Sequence, residues 1–215
     1  KPFVYDEALK KGYTPETVVF DVPTEFSTEC NPDGTPILPE NADKCYKPEN
    51  YDEKYRGPIT LRDALAQSVN IPAIQVLYLA GLKNSLRLAK DMGITTLADT
   101  DRYGLTLVLG GGEVQLLDLT SAYGVFAAEG TRREPTGILR IETREGAIVA
   151  GWKDTSEQVL EPEIARKISD MLSDNKARAR AFGVASPLYF PNRDVAAKTG
   201  TTNDFRDAWI IGYAP

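Results

Sequence analysis

Asp194-Val-Ala-Ala-Lys198-Thr-Gly-Thr-Thr202, continued by Asn203-Asp-Phe-Arg-Asp-Ala-Trp-Ile-Ile-Gly-Tyr213, decides how this chain is read. Val195, Ala196 and Ala197 predict a short buried strand, too brief and too closely bounded by polar residues for a helix. Ala208 to Tyr213 predicts a second strand, rich in β-branched and aromatic side chains. Gly200, Asn203 and Asp204 favour a turn between them. The result is a hairpin that presents a lysine, a glycine and two hydroxyls at one strand end. Glycine weakens a strand, and close approach of a ligand is one reason to keep it. A peptide can add to such an edge as an extra strand. Lys198 supplies positive charge, and Thr199 and Thr201 supply hydroxyl donors, a set suited to a carboxylate. A plain hairpin turn with solvent-facing lysine and threonine fits the same letters.

Working outward, composition removes several classes of function. At 215 residues the chain reads as one domain able to bury a core. A net charge of −6 leaves no basic excess for neutralising nucleic-acid phosphates. No apolar run approaches the roughly 18 residues of a membrane span. Histidine is absent, which excludes Ser-His-Asp and Cys-His mechanisms and any histidine-ligated metal within these residues. Nucleophilic catalysis here must pair a hydroxyl with a lysine or a carboxylate. Cys30 and Cys45 bracket a turn-rich loop and form a disulfide candidate, with two unpaired thiols as the alternative. If paired, they place the domain in an oxidising compartment, and the closed loop is worth about 3 kcal/mol in the chain-entropy model.

Lys1 to Gly12 predicts a helix, with Pro2 in its first turn and Gly12 as its stop, and begins as if inside a longer protein. Six prolines between Tyr13 and Tyr55 predict an extended, loop-like stretch. Thr60 caps a short helix through Ser68, Pro72 begins another that ends at Gly81, and a third runs from about Asn84 to Met92. Gly110, Gly111 and Gly112 lack a P-loop lysine and read as a turn into a helix over Glu113–Ala128, expected to be central and buried. A hairpin over Ile138–Thr143 and Ala147–Trp152 follows, and Glu161–Leu172 predicts the last helix.

Ser68-Val-Asn70, at a break before Pro72, reads alone as turn or capping chemistry. Beside Lys198-Thr-Gly-Thr201 it gains a partner: a hydroxyl to relay a proton, an amide to orient an acyl chain, and a carboxylate-binding strand. Such pairings, together with a Ser-x-x-Lys nucleophile, mark penicillin-binding proteins and β-lactamases. Three stretches carry a wider resemblance: Tyr55-Arg-Gly-Pro-Ile-Thr-Leu-Arg-Asp-Ala-Leu-Ala-Gln-Ser-Val-Asn-Ile-Pro-Ala73, Leu109-Gly-Gly-Gly-Glu-Val-Gln-Leu-Leu-Asp-Leu-Thr-Ser-Ala-Tyr123 and Ala197 to Trp209. On these the chain resembles the transpeptidase domain of class A (bifunctional) penicillin-binding proteins. The implied fold is α/β (α+β), of penicillin-binding protein and serine β-lactamase type, here with an incomplete antiparallel sheet and a helical cluster.

The resemblance implies that Lys1-Pro-Phe3 carries the lysine of Ser-x-x-Lys, with the nucleophilic serine three residues before Lys1. Residues 1–215 would then be a domain fragment lacking that serine, the strands before it and those after Tyr213, and by itself inactive. Lys1 would act as base, with a pKa lowered by burial and by Lys198. Ser68 would pass a proton, Asn70 would hold the substrate amide, and Lys198, Thr199, Gly200 and Thr201 would bind the terminal carboxylate and backbone of a D-Ala-D-Ala stem peptide. The Thr201 N–H would donate to the oxyanion. No cofactor or metal is implied. β-Lactams would be bound as substrate mimics, nucleic acid would not be a partner, and the parent protein would be membrane-anchored, extracytoplasmic and linked to a glycosyltransferase domain and envelope assembly proteins. A D,D-carboxypeptidase or β-lactamase, and a non-enzymatic penicillin-sensing or scaffolding domain, are the alternatives.

Overall fold

Residues 1–202 and 206–214 are described by a computed structural model. Helix α1 (Pro2–Lys10) has proline at its start and buries Val4, Tyr5, Ala8 and Leu9, giving one side of the core. The stretch expected to be loop-like holds a strand, β1 (Val18–Asp21), which pairs antiparallel with β2 (Gly57–Thr60). Thr60 then caps α2 (Leu61–Ala66), its Oγ1 accepting the Asp63 N–H at 3.1 Å. Helix α3 (Asn70–Ala80) starts two residues before the expected Pro72, which sits in its first turn where no N–H is needed. Only Gly81, at φ 84°, separates α3 from α4 (Leu82–Asp91).

A 3-10 turn over Leu105–Leu109 leads into the glycine run. Gly110 is left-handed at φ 109°, and a Cβ on Gly112 would lie 2.8 Å from Leu97 Cδ2. Packing and turn geometry therefore account for these glycines. Helix α5 (Leu116–Ala127) is shorter than expected and not buried all round. Ala122, Tyr123, Val125 and Phe126 face the core, whereas Leu116 and Leu117, in its first turn, are exposed to solvent. Two small ladders follow, β3 (Thr131–Arg132) with β6 (Glu157–Gln158), and the hairpin of β4 (Arg140–Glu142) and β5 (Ile148–Gly151). Helix α6 (Pro162–Ser173) buries Ile164, Ile168, Met171 and Leu172 as its periodicity predicts. It is not the last helix. Asp174 caps α7 (Asn175–Phe182), accepting the Ala177 N–H at 2.9 Å.

The closing hairpin pairs β7 (Ala196–Thr201) with β8 (Ala208–Tyr213), Lys198 opposite Ile211 and Gly200 opposite Trp209. Gly200 thus lies inside a strand rather than in the turn, while Asn203 and Asp204 fall outside the described residues. Among the described residues all sheet pairing is antiparallel and two-stranded. The core runs from α1 and α3 through α5 and α6 to Ala196. Phe3 stacks on Phe126 at 5.7 Å between centroids, and Phe126 on Tyr213 at 6.4 Å. That aromatic bridge fixes the start of α1 against the last strand, which sets Lys1 near Lys198. Cys30 and Cys45 form a disulfide within the loop between β1 and β2. No helix among the described residues is long and apolar enough to cross a membrane.

Candidate active site

The corner between α2 and α3 is sharp because Ser68 adopts φ 60°, a left-handed conformation that costs a non-glycine residue on the order of 1 kcal/mol or more. The Ser68 N–H donates to Leu65 O at 3.1 Å and the Val69 N–H to Ala64 O at 3.0 Å, holding the turn against the end of α2. So placed, the Ser68 hydroxyl accepts from Lys198 Nζ at 2.6 Å and from Lys1 Nζ at 3.4 Å. Lys1 Nζ donates also to Ser68 O at 2.7 Å and to Asn70 Oδ1 at 2.8 Å. Residues separated by as much as 130 positions meet at one hydroxyl.

Lys198 is buried and Lys1 half-buried, and both amines are bonded to neutral oxygens, which sets their titration. Burial lowers the Lys1 pKa well below the ordinary lysine value, and the Lys198 charge lowers it further. Burial also depresses Lys198, to about 8, with the buried Arg178 guanidinium acting in the same direction. The corner therefore sets two amines, each with its charged form disfavoured by burial, on either side of one hydroxyl, an arrangement suited to exchanging a proton with it.

These groups line one cleft of about 860 Å³, together with Thr199, Gly200 and Thr201. Exposure increases along β7 from buried Lys198 to exposed Gly200 and Thr201, so the strand end opens to solvent. A Cβ on Gly200 would meet only Trp209 Cβ, at 3.8 Å. Internal packing does not require that glycine, which leaves approach from the cleft side as its physical use. Cys30 and Cys45, the remaining pair singled out by sequence, are bonded to each other and are not among the residues lining the cleft.

Other residues support the site without having stood out in the sequence. Asn50 Oδ1 accepts the N–H groups of Asn70 and Ile71, at 3.0 and 3.2 Å. Gln67 Nε2 donates to Ala177 O at 3.0 Å, tying α2 to α7. Arg178 is buried, bonded to Leu188 O at 3.0 Å and to Leu172 O. An asparagine in a proline-rich loop and an arginine in an Arg-Ala repeat look like surface residues.

The family model for the penicillin binding protein transpeptidase domain matches residues 33–215. Penicillin-binding protein 1A of Aquifex aeolicus is 36% identical over 216 residues, covering all of this chain and 27% of that protein. Penicillin-binding protein 1A of Neisseria meningitidis is 34% identical over 220 residues, covering 26% of its length. The chain thus spans about a quarter of these curated relatives. The crystal structure of penicillin-binding protein 1A from Haemophilus influenzae superposes with a TM-score of 0.78 at 25% identity, over 99% of this chain and 35% of that one. PonA1 of Mycobacterium tuberculosis, solved in complex with penicillin V, shares the fold with a TM-score of 0.75 at 22% identity, over 99% of this chain and 55% of that one. With the family model and the relatives in agreement, the chain belongs to the transpeptidase domains of the penicillin-binding proteins.

Proposed function

We propose that, within its full-length protein, this domain is a D,D-transpeptidase that cross-links peptidoglycan stem peptides and is acylated by β-lactams. The observation that carries this reading is the Ser68 hydroxyl held between the amines of Lys1 and Lys198. A serine three residues before Lys1 is the nucleophile in this scheme. Its hydroxyl proton passes to neutral Lys1 as its oxygen bonds to the carbonyl carbon of the penultimate D-Ala. The oxyanion is met by the Thr201 N–H and the serine's own N–H, a donor being worth roughly 3 kcal/mol. The peptide C–N bond then breaks, and the departing D-Ala amine takes its proton through Ser68. An amine of a neighbouring stem peptide attacks the resulting ester and restores the serine. Asn70 holds the acyl-side amide, while Lys198, Thr199 and Thr201 bind the terminal carboxylate, with Gly200 leaving room for the peptide backbone.

The disulfide supports an extracytoplasmic location, outside the reducing cytoplasm. Membrane anchoring, a companion glycosyltransferase domain and envelope assembly partners belong to the same proposal. The test is fluorescent-penicillin labelling of the full-length protein, followed by cross-linking of stem peptides. Labelling that vanishes in Lys198→Ala, with dimeric peptide products from the parent, is expected. Labelling independent of Lys198 would overturn the assignment. Hydrolysis without cross-linking would identify a carboxypeptidase or β-lactamase instead, and labelling without turnover would identify a sensor.

A further inference from the structure

Helix α3 has no cap of its own: Val69 precedes it, and no local side chain bonds to its first N–H groups. Those groups are satisfied from 20 residues away, by buried Asn50 on the loop between Cys45 and β2. The opposite end of the Asn50 amide donates to Asp21 Oδ1 at 2.6 Å and to Lys54 O at 2.8 Å. Asp21 is fully buried, and its Oδ2 accepts the Arg56 N–H at 2.9 Å and lies 3.5 Å from Arg56 Nη1. The Asp21 carboxyl oxygen and the Lys54 carbonyl both accept from one end of the Asn50 amide, which fixes its orientation and leaves the oxygen for α3. The adjacent Glu49 carbonyl accepts Asn70 Nδ2 at 3.0 Å. Asn70 then has one possible orientation, with Oδ1 toward Lys1 Nζ at 2.8 Å.

From this relay we infer that Asn50, oriented by Asp21, is a positioning residue for acylation: by holding the Asn70 and Ile71 N–H groups it fixes the start of α3, from which the Asn70 side chain meets the Lys1 amine. The inference rests on the transpeptidase reading above. It goes beyond that reading in assigning the loop between β1 and β2 a part in the chemistry. A 1 Å displacement of a reacting group can cost about 100-fold in rate even when binding survives. Asn50 is bonded to the Asn70 N–H and to no residue of the carboxylate-binding strand, so the carboxylate anchor is untouched and the larger effect falls on the bond-making step.

The experiment uses the full-length protein and a fluorescent penicillin, with the encounter constant and the acylation rate constant separated by stopped-flow. Asn50→Ala is expected to lower the acylation constant about tenfold or more while the encounter constant changes by a clearly smaller factor. The acid limb of the acylation profile should move to lower pH, because Lys1 loses an oriented oxygen that favours its charged form. Hydrogen exchange at the Asn70 and Ile71 amides should rise in the same variant. Asp21→Asn, which removes the directing charge and keeps the shape, should lower the same constant by a smaller factor, and it carries the test if Asn50→Ala does not fold. An unchanged acylation constant in a folded variant, or a loss shared equally with the encounter constant, would reduce Asn50 to a structural cap and overturn the inference. Failure of the parent protein to label at all would instead refute the transpeptidase reading, and this inference would go with it.

Discussion

Ser68 joins backbone strain to chemistry, and two substitutions separate them. Ser68→Ala and Ser68→Gly both remove the hydroxyl that Lys198 contacts at 2.6 Å and Lys1 at 3.4 Å. Each loses one charge-assisted hydrogen bond, worth about 1.5–3 kcal/mol, partly offset because Lys198 keeps Thr199 O and Lys1 keeps Ser68 O and Asn70 Oδ1. Alanine retains the cost of φ 60°, while glycine escapes it. The glycine variant should therefore be the more stable of the two by about 1 kcal/mol. For a domain of this size that corresponds to roughly 2–4 °C in Tm. In the full-length protein both variants should lose penicillin acylation by about 100-fold or more, the scale of a lost proton relay. Thermal unfolding and stopped-flow labelling measure the two effects separately. A glycine variant less stable than the alanine one would refute the strain, and near-normal labelling in either would refute the relay.

Further outcomes follow from other parts of the molecule. Lys198 is nearly buried with a pKa lowered to about 8, so the folded state binds its proton less well than the unfolded chain does. The resulting penalty is fully present below pH 8 and is relieved as pH rises toward the ordinary lysine value, by about 3 kcal/mol in all. Lys198→Met should accordingly unfold at higher denaturant concentration than the parent at pH 7, with the advantage shrinking by pH 10. An advantage independent of pH would count against the assignment. Removing both Cys30 and Cys45 should cost about 3 kcal/mol in denaturant unfolding, and reductant should lower the parent alone. Gly112→Ala should destabilise by about 1–3 kcal/mol through collision with Leu97 and Leu107. Gly124→Ala, in α5 with open space at its Cβ, should stabilise by about 0.5–1 kcal/mol, and thermal melts of the pair check both signs.

Much of the site was legible because its chemistry is written in short local runs. Ser68 and Asn70 are adjacent to a proline-marked helix start, and Lys198 to Thr201 occupy one strand, so each half could be read in isolation. The supporting residues could not. Asn50 works through Asp21, 29 residues earlier, and Asn70, 20 residues later, and neither partnership leaves a periodic trace. Strands β1 and β2 are separated by a long loop, and four-residue ladders without a turn between them give no hairpin signal. Helix α7 inverts the usual pattern: Asn-Lys-Ala-Arg-Ala-Arg-Ala-Phe buries an arginine and has no apolar stripe to betray it. In α5 the leucines at 116 and 117 extend an apolar run beyond what the core receives, so hydrophobicity overstated its burial.

Lys198 and Arg178 are enclosed cations bonded to uncharged oxygens, within a chain whose overall charge is −6. An anionic ligand therefore meets opposing fields at different ranges. Beyond about a Debye length the acidic exterior repels it, and inside the cleft the lysine attracts it through poorly screened surroundings. Added salt should weaken the outer repulsion first, so that arrival quickens with ionic strength while residence, governed by the sheltered interior, scarcely changes.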